Sequence, residues 1–167
     1  MAPAKAIIEK LGLKPLPVEG GYFCETYKSA EKIKISNSSG TTVSRPISTA
    51  IYYLITPESF SALHRLTSDE IFHFYSGDAV EMIQIDSNGQ VKRLTLGTDI
   101  LGGEIPQQVV PKGMWQALRL REGGSWTLLG TTTAPGFEFE DFELGDREKL
   151  YNLFPQLKTE IEHFTRG

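Results

Sequence analysis

A chain of 167 residues with 40% hydrophobic and 23% charged side chains has the length of one domain and the composition of a globular protein. Its 21 acidic residues outnumber 17 basic ones, giving a net charge of −4. No basic run of five or more occurs, which excludes a nucleic-acid backbone binder. The single cysteine, Cys24, excludes an intrachain disulfide and any cysteine-rich zinc motif.

The opening stretch MAPAKAIIEKLGLKP is too polar for a signal peptide or a membrane span, so a cytoplasmic protein without a membrane partner is expected. Ala4, Ile7, Ile8 and Leu11 recur at helical spacing and predict a short helix, with Pro3 in its first turn and Gly12 as its stop. LKPLPVEGGYFCETYKS then turns through Pro15, Pro17 and Gly20-Gly21 into a strand. Because no helix N-terminus follows the glycine pair, it is not a phosphate loop. Residues 34–46, KISNSSGTTVSRP, read as a hairpin or mobile loop.

STAIYYLIT (48–56) is dense in β-branched and aromatic residues and bounded by Pro46 and Pro57, as a strand is. SFSALHRLTSDEIFHFYSGD follows (59–78), then AVEMIQIDSNGQVKRLTLG, whose apolar runs flank Asn88-Gly89 and predict a tight hairpin. QQVVPKGMWQALRL and SWTLLGTTTAPGFEFEDFEL add strands split by turns. In the last of these, Phe137 and Phe139 alternate with Glu138 and Glu140 as in an edge strand with a solvated acidic face. Helical period returns only at 146–164, where Asp146 suits a cap and Pro155 a second helix start. Strands about every ten residues, with helices only at the ends, predict a single all-β sandwich or barrel domain over 1–167. Its core spans about 18–145 and its helical tail about 146–164.

Strand alternation places Ala62, His64 and Leu66 on one face, and Glu70, Phe72 and Phe74 on one face of the next strand. If these faces oppose, they form an aromatic box holding His64 and Glu70, with Gln116 and Leu118 pointing inward from an adjacent strand. His73 and Trp115 then face outward. Tyr27 and Tyr52 are candidate pocket tyrosines by strand position, and Arg45 is close enough to the next strand to reach the barrel mouth. A Cys24–histidine nucleophile has no support in spacing.

The spacing of these residues resembles the two cupin motifs. His64-x-Leu66, three residues, Glu70, six residues and Gly77 follow the frame of the first; Pro111-Lys112-Gly113, two residues and Gln116 follow the second. Leu66 and Gln116 stand where the motifs carry histidines, and Glu58 and Ile105 where each motif opens on glycine. The segments PVEGGYFCETYKS, STAIYYLI, SFSALHRLTSDEIFHFYSGD, GEIPQQVVPKGMWQA and APGFEFEDFEL are similar to the small family labelled cupin-5. Cys24 departs from the basic residue expected there. The resemblance implies a double-stranded β-helix (jelly roll), usually dimeric, with a pocket inside the barrel, and it supplies no reaction.

Catalytic zinc and non-haem iron sites use three protein ligands, whereas here His64 and Glu70 would be joined only by the weak donor Gln116. No cofactor is therefore expected, and a divalent metal would fall to those three residues. Three functions follow: a protein that binds a small molecule through His64, Glu70 and Gln116; a metal-independent sugar or carbonyl epimerase or isomerase with His64, paired with Glu70, as base and Tyr27 or Tyr52 as partner acid; and a metal-dependent dioxygenase or isomerase using His64, Glu70 and Gln116. Apolar outer-face positions Ile71 and Trp115 add to the expectation of a homodimer.

Overall fold

The computed structural model describes residues 2–36 and 39–166. Helix α1 (Ala2–Leu11) leads through β1 (Lys14–Pro15) into β2 (Tyr22–Lys28). A projecting pair, β3 (Lys32–Ser36) and β4 (Thr42–Pro46), forms a two-stranded sheet of its own. The tip of the hairpin expected there includes residues 37–38, outside those described. The chain continues through β5 (Thr49–Ile55), β6 (Ser61–Leu66), β7 (Asp69–Gly77), β8 (Val80–Ile85), β9 (Val91–Leu96), β10 (Gln107–Val110), β11 (Trp115–Leu120) and β12 (Thr127–Ala134). A short 3-10 turn (Phe139–Asp141) precedes β13 (Phe142–Leu144), and α2 (Arg147–Leu153) and α3 (Lys158–Phe164) close the described chain.

Two antiparallel sheets face each other as a jelly roll, in the orders β1-β2-β5-β12-β7-β10 and β13-β6-β11-β8-β9. Alternation along each strand divides the side chains between two cores. Tyr53, Ile55, Phe72, Val80, Met82, Leu96, Val110, Leu118, Leu120 and Leu129 fill the space between the sheets at one end of the barrel. On the outer face of the five-stranded sheet, Leu63, Ile83, Ile85, Trp115 and Ala117 pack under Leu150, Phe154, Leu157, Ile161 and Phe164 of the C-terminal helices. Trp115 thus faces outward, but this chain's own tail covers it, which corrects its assignment to a dimer surface.

Asp146 caps α2 by accepting a hydrogen bond from the Lys149 amide, and Pro155 opens a 3-10 turn that runs into α3. Gly77 ends β7 at φ 103°, where an added Cβ would lie 2.5 Å from the Trp126 carbonyl oxygen. No helix among the described residues is long and apolar enough to cross a membrane.

The strand expected in PGFEFEDFEL is shorter than its alternation suggests. Only Phe142–Leu144 pairs with β6, and Phe139–Asp141 winds into the 3-10 turn. Arg45 imposes the change. It is buried, with Nε 2.8 Å and Nη2 3.0 Å from the two Asp141 carboxylate oxygens, and Nη2 3.1 Å from Glu140. Arg45 therefore anchors the closing segment through Asp141 and Glu140 and does not reach freely into the barrel mouth.

Candidate active site

The end of the barrel left open by that core holds a cavity of about 330 Å³. Leu16, Pro17, Phe23, Ile51, Leu66 and Phe142 are among its apolar walls, and Phe137 and Phe139 stand over it with their rings edge to face at 5.3 Å. Its polar lining comprises Glu19, Glu25, Lys28, Thr49, His64, Glu70, Thr131, Thr133 and Glu138.

β6 delivers His64 inward, 2% exposed, with its ring stacked on Phe142 at 5.3 Å. Nδ1 lies 2.8 Å from the Ala62 carbonyl, which can only accept, so Nδ1 carries a proton. Nε2 faces Glu19 Oε1 across 4.0 Å, beyond hydrogen-bond range. β7 delivers Glu70, whose Oε2 accepts from Gln116 Nε2 at 2.7 Å. Glu70 titrates at about 6 rather than its ordinary 4.5, chiefly because burial penalises its charge. The neighbouring His64 opposes that rise, Glu19 adds to it, and hydrogen bonds from Gln116 and Thr131 oppose it. His64 and Glu70 thus line one cavity, but each takes its hydrogen bonds from other groups.

Glu19 is the residue that pattern reading missed. It sits in the turn between β1 and β2, where Gly21 lies so close to Tyr53 that an added Cβ would meet the ring at 2.5 Å. That approach brings the Tyr53 hydroxyl 3.0 Å from Glu19 Oε1 and 2.8 Å from the Gly20 carbonyl, sharing one proton between them. Ser61 Oγ donates to the same Glu19 oxygen at 2.8 Å. Arg166 fixes the backbone, with Nη1 donating to the carbonyls of Val18 (3.0 Å) and Glu19 (2.6 Å) and Nη2 to that of Phe60 (2.6 Å). Val18 itself has φ 71°, a strained value for a β-branched residue.

The other expected pocket residues fall elsewhere. Gln116 is buried behind Glu70 and supports it without lining the cavity. Phe72 and Leu118 belong to the packed core, and Phe74 packs against that core. Tyr27 is 55% exposed and Tyr52 packs edge-on against Tyr75 on the outer face; neither lines the cavity, which corrects both assignments. Tyr52 is one residue out of phase with the inward Ile51 and Tyr53. Tyr27 shares the parity of Phe23 and Glu25 but follows a register shift between Glu25 and Tyr27 that turns Lys28 to the cavity instead. His73 lies on the same outer face, 3.3 Å from Thr132 Oγ1 and 3.2 Å from the Gln107 amide. Cys24 also lies outside the cavity lining, with its thiol 3.7 Å from the Glu25 carbonyl.

The donor set does not fit a tightly held divalent metal. Leu66 offers no lone pair, and Gln116 turns its NH2 to Glu70. Among the described residues no three His, Cys, Asp or Glu side chains are grouped closely enough to ligate a metal ion.

A jelly-roll barrel with a half-closed cavity at one end, bearing an inward His and Glu from consecutive strands, defines the class as a cupin. The family described as Cupin superfamily (DUF985) matches residues 5–145, and the chain belongs to that family. It is 34% identical over 154 residues to uncharacterized protein YML079W of Saccharomyces cerevisiae, covering 86% of this chain and 77% of the yeast protein. A solved structure of a hypothetical protein from Leishmania major superposes with a TM-score of 0.89 at 32% identity, covering 98% of this chain and 99% of that one. More distant structures share the fold alone. A dTDP sugar isomerase from Desulfovibrio desulfuricans has a TM-score of 0.52 at 16% identity, covering 70% of this chain and 81% of its own. The oxalate decarboxylase of Bacillus subtilis has a TM-score of 0.54 at 14% identity, with 92% and 37% covered.

Proposed function

We propose that the protein binds a small molecule inside the barrel, its apolar body against Phe23, Phe137 and Phe142 and its polar head at His64 and Glu70. The observation that carries this reading is the cavity itself: about 330 Å³ of mainly apolar wall converging on a buried His, with Glu19 and Glu70 beside it. Gln116 contributes by holding Glu70. A small-molecule library screened by thermal shift and protein-observed NMR tests it. Ligands should perturb His64 and Phe142, and filling the cavity with Ile51→Trp, or with Leu66→Phe beside His64, should abolish binding. Hits that bind these variants as well as the wild type would refute the assignment.

A second reading, proton transfer on a bound carbonyl or sugar, rests on the one ring nitrogen of His64 that no hydrogen bond occupies. In it a proton leaves carbon for Nε2 and returns from Nε2 to carbon, with Nδ1–H held by Ala62. Deuterium from solvent should enter such ligands faster with the wild type than with His64→Ala. Equal rates would remove turnover and leave binding intact.

A further inference from the structure

The inner end of the cavity is built from hydrogen-bond acceptors carrying negative charge. Across the whole lining, Glu19, Glu25, Glu70 and Glu138 stand against Lys28 and His64, and no arginine is present. At the mouth, Lys28 Nζ is 2.9 Å from Glu138, so its charge is already matched. At the inner end the Glu19 and Glu70 carboxylates remain, joined by His64 Nε2. His64 turns its Nδ1–H away to Ala62, so its one assigned proton points out of the site. Independently of the carboxylates, this nine-tenths-buried imidazole presents to the cavity a nitrogen with no hydrogen bond, 4.0 Å from Glu19.

A primary ammonium has three N–H donors, one for each of the two carboxylates and the imidazole nitrogen, and its positive charge offsets one of the two carboxylate charges. The aromatic walls favour the same charge, since ring faces attract cations. A carboxylate or phosphate head would instead meet like charges in a poorly hydrated space, where repulsion acts as a specificity device. Deepening the binding reading above and resting on it, we infer that the ligand of this cavity is an amine, held as its ammonium ion by Glu19, Glu70 and His64 with an aromatic or aliphatic body towards Phe23 and Phe137. Anionic molecules such as sugar nucleotides and small dicarboxylates are excluded by the same groups.

Three compounds sharing a benzyl body test this on the full chain at pH 7.5: 2-phenylethylamine, 2-phenylethanol and phenylacetate. Isothermal titration and saturation-transfer NMR should show the amine binding at least about tenfold more tightly than the alcohol, with phenylacetate not bound. Glu70→Gln and Glu19→Gln should each weaken the amine about tenfold or more and leave the alcohol within about twofold. Binding of the alcohol or the acid as tightly as the amine, no effect of either Gln variant, or binding of none of the three would each overturn the assignment. If the library screen meanwhile finds neutral or anionic ligands that Ile51→Trp excludes, the cavity stands and only the ammonium reading falls. If neither experiment finds a cavity ligand, both fall.

Discussion

Glu70 holds a carboxylate inside a barrel whose neighbours are mostly apolar, and its raised titration is a statement about stability. Between pH 4.5 and about 6 the folded protein keeps a proton on Glu70 that the unfolded chain has released. Glu70 therefore lowers stability progressively as pH rises through that window, by about 2 kcal/mol once it is ionised. Glu70→Gln keeps an oxygen for the Gln116 amide and removes the charge. Its melting temperature should exceed that of the wild type at pH 8, by an amount equivalent to about 2 kcal/mol, and should match it near pH 4. A difference that does not vary with pH, measured by parallel thermal melts, would show that the carboxylate is well hydrated. An ammonium in the cavity would act in the opposite sense by favouring the ionised form, so bound amine should offset the wild type's loss of stability above pH 6 and raise the melting temperature of Glu70→Gln by less.

The closing segment shows how one ion pair overrides a strand pattern. FEFEDFEL alternates as an edge strand does, yet its first half turns because Asp141 and Glu140 are held by the buried Arg45 of β4. That turn brings Phe137, Phe139 and Phe142 to the same cavity, which a continuous strand would have split between two faces. Arg45→Ala leaves Asp141 poorly hydrated and without its partner, and should cost about 3 kcal/mol in denaturant unfolding. Restoring much of that loss in Arg45→Ala/Asp141→Ala would identify the pair as the cause. The strand faces of SALHRL and EIFHFYSG were legible because period-two alternation over consecutive strands sets them locally. Glu19 was not legible, because its position depends on Tyr53, Ser61 and Arg166, contacts between residues at least 34 positions apart that leave no local pattern. Trp115 was legible as outward, but what covers it was not, since helices α2 and α3 reach it only through tertiary packing. Ile161→Ala, emptying a fully buried site beneath α3, should cost about 2–5 kcal/mol and increase exposure of Trp115, read by its fluorescence.

At the scale of the whole molecule the two sheets differ in what covers them. The helices cover the five-stranded sheet, whereas the six-stranded sheet presents Tyr52, Ile71, His73, Tyr75 and Val109 on its outer face, a run with no acidic or strongly basic residue. We propose that two copies meet through this face. Light scattering at micromolar concentration should give twice the mass of one chain, and Tyr75→Glu should halve it. A wild-type monomer would refute the pairing. The guanidinium of Arg166 carries a consequence for how the site comes into being. It closes on Val18 and Glu19 across 147–148 positions of sequence, so during synthesis every barrel strand has emerged before that clamp can form. The nascent barrel is thus a vessel whose floor is set last, able to fold around its core while its acidic recess is still loosely formed.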